Sequence, residues 1–171
     1  MNLETVSISP ERPEAQSFPG SNLTEPAAHS PSRFLSFTIG GGRYCLPADA
    51  VVEVSHPLEL ARVPKSPANV LGVASFTGEI ALVVDLRPLL NESRPAADSK
   101  PKLLRLAVVG EESNVAFPVD SVGEVFSTDT ASFAPAGKGS LVIGTHNGAL
   151  SQPVSLLNQI AIRAIPNPRV T

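Results

Sequence analysis

The chain predicts an all-β fold of two tandem, small five-stranded barrels, and three observations carry that prediction. From Arg33 onward, short apolar runs alternate with Gly- and Pro-rich turns; a segment of the first half recurs in the second; and helical patterning is confined to two short stretches.

At 171 residues, 42% of them hydrophobic, the chain can bury a core. Charged residues make up 17% and the net charge is −3, so no basic field exists to hold nucleic acid or an anionic membrane surface. The single cysteine, Cys45, lies in Arg43-Tyr44-Cys45-Leu46 and has no internal disulfide partner, so it reads as a small buried hydrophobe in a reducing compartment. The N-terminus lacks a basic region followed by an apolar run, and no stretch approaches the roughly 18 to 20 apolar residues of a membrane-spanning helix. A cytoplasmic protein without membrane insertion is expected.

Taken in order, residues 1–32 are dense in Pro, Ser, Glu, Asn and Thr without an apolar period, and are expected to form a disordered tail. Phe34, Leu35, Phe37 and Ile39 then give a strand, and Gly40-Gly41-Gly42 a turn, which together predict a hairpin. Val83-Val84-Asp85-Leu86 and Leu103 to Val109 are the strongest strand signals, being aliphatic runs bounded by turn residues. Between them, Asn91 to Lys102 is polar with two prolines and reads as a linker, which places the first barrel at about 33–92 and the second at about 102–165. Ala134 to Ser140 forms another break, Asn147-Gly148 suits the positive-φ positions of a tight turn, and residues 166–171 form a terminal tail. Arg87-Pro88-Leu89-Leu90 and Leu156 to Ile162 resemble helical turns, the latter with a last strand as the alternative.

The repeat is specific. Leu46-Pro47-Ala48-Asp49-Ala50-Val51-Val52-Glu53-Val54 returns as Phe117-Pro118-Val119-Asp120-Ser121-Val122-Gly123-Glu124-Val125, at an offset of 71. Val70-Leu71-Gly72 matches Val142-Ile143-Gly144 in nearly the same phase, and Gly78 through Leu86 matches Gly148 through Leu156. In the repeated element Pro sets φ and the Asp two residues on can accept from a nearby backbone N–H, so the strand ends in a turn.

Catalytic or metal chemistry finds no support in the motifs. His29, His56 and His146 have no second ligand at metal spacing, and no nucleophile elbow, phosphate loop or dinucleotide fingerprint occurs. Asp49, Asp85 and Asp120 read as turn and capping residues. A ligand-binding or hydrolytic groove between barrels lacks the aromatic lining it would need, with no Trp and only Tyr44. No cofactor, metal or enzymatic activity is expected.

These landmarks resemble the CheW-like domain of chemotaxis coupling proteins and chemotaxis kinases over roughly Arg33 to Ile165. The resemblance rests on Phe34 to Ile39 with Gly-Gly-Arg-Tyr-Cys-Leu-Pro, Val51 to Val54, Val63-Pro64-x-x-Pro67, Val70-Leu71-Gly72, Gly78, Val84 to Arg87, Pro118 to Val122, Gly144, Gly148 and Leu156-Leu157. It implies two SH3-like barrels and a non-enzymatic adaptor that couples a histidine kinase regulatory domain to the cytoplasmic tip of chemoreceptors. Carried over residue by residue, it implies one partner surface at Glu53, Gly72, Ser75, Thr77, Gly78, Asp85 and Arg87, and another at Asp120, Val122 and Glu124. The family's usual Gly-x-x-Asn-Leu-Arg-Gly is here Gly72-Val73-Ala74-Ser75-Phe76-Thr77-Gly78, so Thr77 stands where an Arg would pair with Glu53. Either Glu53 is exposed, or another cation reaches it, with Arg87 and Arg43 as the candidates. The same substitution motivates an alternative: a divergent module that binds kinase or receptor without activating the kinase, or that serves a pathway other than chemotaxis.

Overall fold

The computed structural model describes residues 31–94, 100–108, 114–137, 141–148 and 150–165. Residues 1–30 of the expected disordered tail and the terminal tail at 166–171 lie outside the described residues, while Ser32, expected in the first tail, opens the first strand instead. Among the described residues, eleven strands and two short α-helices follow one another as β1 (Ser32–Ile39), β2 (Gly42–Pro47), β3 (Val51–Ser55), β4 (Val70–Phe76), β5 (Glu79–Val84), α1 (Arg87–Leu90), β6 (Lys102–Leu106), β7 (Val115–Val119), β8 (Ser121–Thr128), β9 (Ala134–Pro135), β10 (Val142–His146), β11 (Val154–Leu157) and α2 (Gln159–Ala164). The molecule is all-β with two SH3-like sheets. One is ordered β8-β1-β2-β11-β10-β9, the sixth strand being only two residues long, and the other β3-β6-β7-β5-β4.

These orders correct the expectation that each half of the chain closes its own barrel. The β1–β2 hairpin, from the first half, sits among β8, β10 and β11 of the second; the β6–β7 unit, from the second half, sits among β3, β4 and β5 of the first. The exchange is reciprocal. With the repeat applied, β1 corresponds to β6, β2 to β7, β3 to β8, β4 to β10 and β5 to β11, and both sheets then read in the same order. β2 pairs parallel with β11 at Tyr44–Ser155 and Cys45–Leu156, and β7 pairs parallel with β5 at Val115–Leu82 and Ala116–Val83, so Leu82 is equivalent to Ser155 and Val83 to Leu156, which corrects by three residues the sequence match of Gly78 through Leu86 with Gly148 through Leu156. Irregularities recur at matching places, between Val70 and Gly72 and between Val142 and Gly144. Such bulges bend the strand and increase its twist, so their duplication gives the two sheets the same curl. The physical reason the exchange escapes a sequence reading is that strand pairing is non-local: a hairpin carries its own alternation into either sheet unchanged.

The exchange also explains the core. Phe37, Ile39, Tyr44 and Leu46 from one sheet meet Val84, Leu104, Leu106, Val115, Phe117 and Val119 from the other in a single buried cluster, closed by Leu157 and Ile162. Smaller clusters lie within each sheet: Phe34, Cys45, Phe126, Phe133, Val154 and Leu156 in the first, and Ala74, Phe76, Ala81, Val83, Leu103 and Ala116 in the second. Cys45 is fully buried, and burial pushes its thiol pKa up to about 12.

Several boundaries differ from the sequence expectation. Strand β5 ends at Val84 because Asp85 turns inward: its Oδ1 accepts the Arg87 N–H at 3.0 Å and starts α1. Strand β6 ends at Leu106, and Val108 is exposed. The stretch Leu156 to Ile162 is both strand and helix, divided by Asn158, whose side chain accepts from the Ile160 and Ala161 N–H groups as an N-cap. The tight positive-φ turn is found at Thr77-Gly78, with φ of 33° and 89°, whereas Asn147 and Gly148 are not among the positive-φ residues. The second-half connection from His146 to Val154 is longer, so it has no need of a two-residue turn.

Candidate functional site

Two charge clusters organise the residues singled out above. The first lies at the β4–β5 hairpin tip. Glu53 on β3 faces Arg105 on β6 across the ladder, and the Arg105 guanidinium reaches Glu53 Oε2 at 3.4 Å and Glu79 Oε2 at 2.6 Å. The guanidinium also sits 5.9 Å from the centroid of the Phe76 ring, a cation–π distance. Thr77 Oγ1 lies 3.0 Å from both carboxylate oxygens of Glu53 and donates to that group. The cation for Glu53 is therefore Arg105, and the expectation of Arg87 or Arg43 is corrected. Arg43 is on β2 in the other sheet, and Arg87 is committed elsewhere.

Local structure explains why Thr77 is held. A two-residue hairpin turn places it at φ 33°, a region that a β-branched residue rarely adopts, and the Glu53 hydrogen bond offsets that cost. Gly78 supplies the second positive φ of the turn. Ser75 is exposed on β4, opposite Ile80 on β5. Gly72 has a different reason to be glycine: a Cβ there would lie 2.5 Å from the Ala61 carbonyl oxygen, where residue 61 bridges to Val73 and covers part of the β4 edge.

The second cluster joins the sheets. Arg87 Nη2 donates to Asp120 Oδ1 at 2.6 Å, and its Nη1 lies 3.5 Å from Asp85 Oδ1. Asp120 Oδ2 accepts the Gly40 N–H at 2.6 Å, and the Asp120 N–H donates to the Thr38 carbonyl at 2.8 Å. Glu92, just past α1, completes the clamp on the β1–β2 turn by accepting from the Gly41 N–H at 3.0 Å and the Tyr44 hydroxyl at 2.6 Å. Burial, and then the Glu92 hydrogen bond, hold the Tyr44 phenol well above its ordinary pKa.

This geometry regroups the candidate residues. Asp85 and Arg87 were expected on one partner surface and Asp120 on the other, yet the three form one ion cluster in which Arg87 is 5% exposed. Desolvated charges with internal partners serve the junction between sheets. Glu53, Thr77 and Gly78 do come together at the hairpin tip, with Ser75 beside them. Val122 is half-buried against the main core, while Glu124 is exposed and uses its backbone carbonyl to accept from Ser36 Oγ at 2.9 Å. The sequence reading missed Arg105, Glu79, Glu92 and Tyr44. A signal existed for one of them: Arg105 is a lone cation inside Leu103-Leu104-Arg105-Leu106, and a charge buried in an aliphatic strand requires a counter-ion.

Among the described residues, no group of three or more His, Cys, Asp or Glu side chains is placed to hold a metal ion, and no helix is long and apolar enough to cross a membrane. What fold and clusters define together is a duplicated, strand-exchanged β scaffold whose polar groups hold the structure together and edge its surface. Residues 33–160 match the family model of the CheW-like domain, and the chain belongs to that family. The chemotaxis protein CheW of Helicobacter pylori (strain ATCC 700392 / 26695) is 34% identical over 55 residues, a match spanning 32% of this chain and 33% of that relative's length. Among solved structures, the scaffolding protein TtCheW from Thermoanaerobacter tengcongensis superposes with a TM-score of 0.65 at 20% identity, over 75% of this chain and 89% of that one. At that identity the likeness establishes the fold.

Proposed function

We propose that the protein is a non-enzymatic coupling scaffold that links the regulatory domain of a histidine kinase to the cytoplasmic tip of chemoreceptors, acting in the cytoplasm at receptor arrays. The family match over residues 33–160 carries this reading. The architecture supports it: the reciprocal exchange makes two similar sheets into one interlocked body, so two partners gripping different faces are held at a fixed separation. Glu53, Ser75, Thr77 and Gly78 belong to one partner surface, and Val122 and Glu124 to the other; Gly72, Asp85, Arg87 and Asp120 shape and brace those surfaces from within.

The test is reconstitution of the purified protein with a histidine kinase and a receptor cytoplasmic fragment from the same source, reading co-sedimentation and kinase autophosphorylation. The expected result is a ternary complex that forms only when the protein is present. Failure to bind either partner under conditions where the protein is folded overturns the reading.

Thr77 favours a second reading, that of a module which binds kinase or receptor without activating the kinase. Its hydroxyl replaces a surface cation, and Arg105 supplies charge from below with a side chain only 9% exposed. Thr77→Arg separates the two: a gain of kinase activation with unchanged binding supports the non-activating module, and equal activation by both forms removes the reason for it.

A further inference from the structure

A cavity of about 270 Å³ lies where the start of β1 meets β10, β11 and α2, with Phe34, Ile143, Leu156 and Ile160 in its wall. Ile143 is 45% and Ile160 64% exposed, so part of this apolar wall is uncovered by any described residue. Ser32 and Arg33, the first residues of β1, also line the cavity, so the polypeptide arrives at it directly from the segment 1–30. Arg33 and Asp49 are its two charged side chains; both are exposed, and neither has an ion-pair partner among the described residues.

We propose that the segment 1–30 folds back onto this face and seats Phe18 in the cavity, so that the protein's own chain covers Ile143 and Ile160. Phe18 is the one Phe, Tyr or Trp in that segment, and its ring is the largest apolar side chain the segment can offer to a wall of Phe, Leu and Ile. A coil running from Phe18 to Ser32 spans roughly 20 Å and extends to at most about 45 Å, so the ring reaches a cavity that begins at Ser32 without strain. Tethering also holds the ring at an effective concentration on the order of millimolar, an advantage that a separate chain lacks. Charge agrees: Glu4, Glu11, Glu14 and Glu25 against Arg12 give residues 1–30 the whole net charge of −3, and Glu25 lies on the stretch that returns to the unpaired Arg33. The result is an intramolecular cap, and any protein that uses Ile143 and Ile160 must first displace Phe18. The inference is independent of the coupling reading, since none of these residues belongs to the surfaces proposed for the two partners.

The experiment uses the full chain carrying Ser17→Cys with a nitroxide on the new thiol. Cys45 is fully buried with its thiol pKa pushed up to about 12, so it does not take the label. Nitrogen-15 spectra then read how strongly the nitroxide broadens each amide. The expected result is strong broadening at Ile143, Leu157 and Ile160, with the paramagnetic rate there falling at least about threefold when Phe18→Ser is added and the spectrum otherwise unchanged. Ile160→Ser, an exposed substitution, should release the label to the same extent, and Arg33→Glu should lower the rate by about twofold and remove its dependence on salt. Broadening that only decays with distance from Ser32 and ignores Phe18→Ser overturns the proposal. Broadening of nitrogen-15 chains by spin-labelled nitrogen-14 chains in a mixed sample overturns it as well, because the cavity then belongs to a second copy.

Discussion

Arg105 on β6 and Ser36 on β1 occupy matching places in the two sheets, and each is the buried polar residue of its strand. Around Arg105 the first-half strands supply Glu53, Glu79 and the Phe76 ring, so that sheet is braced by ionic contacts at its hairpin tip. Around Ser36 there is one hydrogen bond to the Glu124 carbonyl and a close-fitting Gly123, where a Cβ would lie 2.5 Å from Ser36 Oγ. The bulk there comes from Phe34, with ring centroids 5.7 Å from Phe126 and 5.1 Å from Phe133. Duplication preserved the backbone plan, including its bulges, and left the side chains free to solve packing differently. The ionic sheet is also the one with an exposed carboxylate at its rim, that of Glu79.

That comparison is sharpened first in the two small cores. Phe34 and Leu103 are equivalent by register, and both are buried. Phe34→Ala should cost about 4 kcal/mol and Leu103→Ala about 3 kcal/mol in urea unfolding, the difference reflecting the lost ring contacts. Equal costs would mean that the aromatic cluster adds nothing beyond volume.

The next contrast sets Asp120 against Asp49, which share a place in the repeated Pro-x-Asp. Asp120 holds the buried Arg87 and the Gly40 N–H, so Asp120→Ala should destabilise by about 3 kcal/mol. Asp49 is exposed, and the 3-10 turn it occupies has no side-chain cap, so Asp49→Ala should fall within about 0.5 kcal/mol of the parent. Matching penalties would show that the clamp on the β1–β2 turn does not depend on the Asp120 carboxylate.

For the pair that opens the comparison, Arg105→Ala leaves the half-buried Glu53 without its cation. A cost of about 2 kcal/mol is expected, below that of a fully buried pair because Glu79 remains solvated. Ser36→Ala should cost about 1 kcal/mol for its single hydrogen bond. Chemical denaturation at low and high salt separates them further, since only the Arg105 variant should narrow its gap to the parent as salt rises.

How far these contrasts were legible in the sequence depends on the range of the interaction. The repeat, the Gly40-to-Gly42 hairpin and the strands around Phe34, Val83 and Leu104 follow from local patterning. The hairpin exchange does not, because either sheet would accept the same alternation. The same limit explains the partial reading of the site: Glu53 and Thr77 were visible as a pair that had lost its cation, while the replacement lies on β6, 52 residues from Glu53 in the chain. Asp85 and Asp120 read as turn and capping residues, and the resemblance set them with Arg87 on two separate partner surfaces, because nothing local says that α1 is pressed onto a turn of the other sheet.

The smallest expected effect isolates the strained turn. Thr77 combines an unfavourable φ of 33° with a hydroxyl bonded to Glu53, and among the described residues of the second-half connection neither has a counterpart. Thr77→Val keeps the β-branched strain and removes the hydrogen bond, so it should cost about 1 kcal/mol. Thr77→Gly removes both, and relief of strain should offset the lost bond to leave stability within about 0.5 kcal/mol of the parent. Thermal unfolding of the two variants side by side measures the strain directly as their difference. If both lose stability equally, the turn stores no strain, and the hydroxyl at position 77 is an ordinary surface hydrogen bond with no bearing on how the hairpin tip is held for a partner.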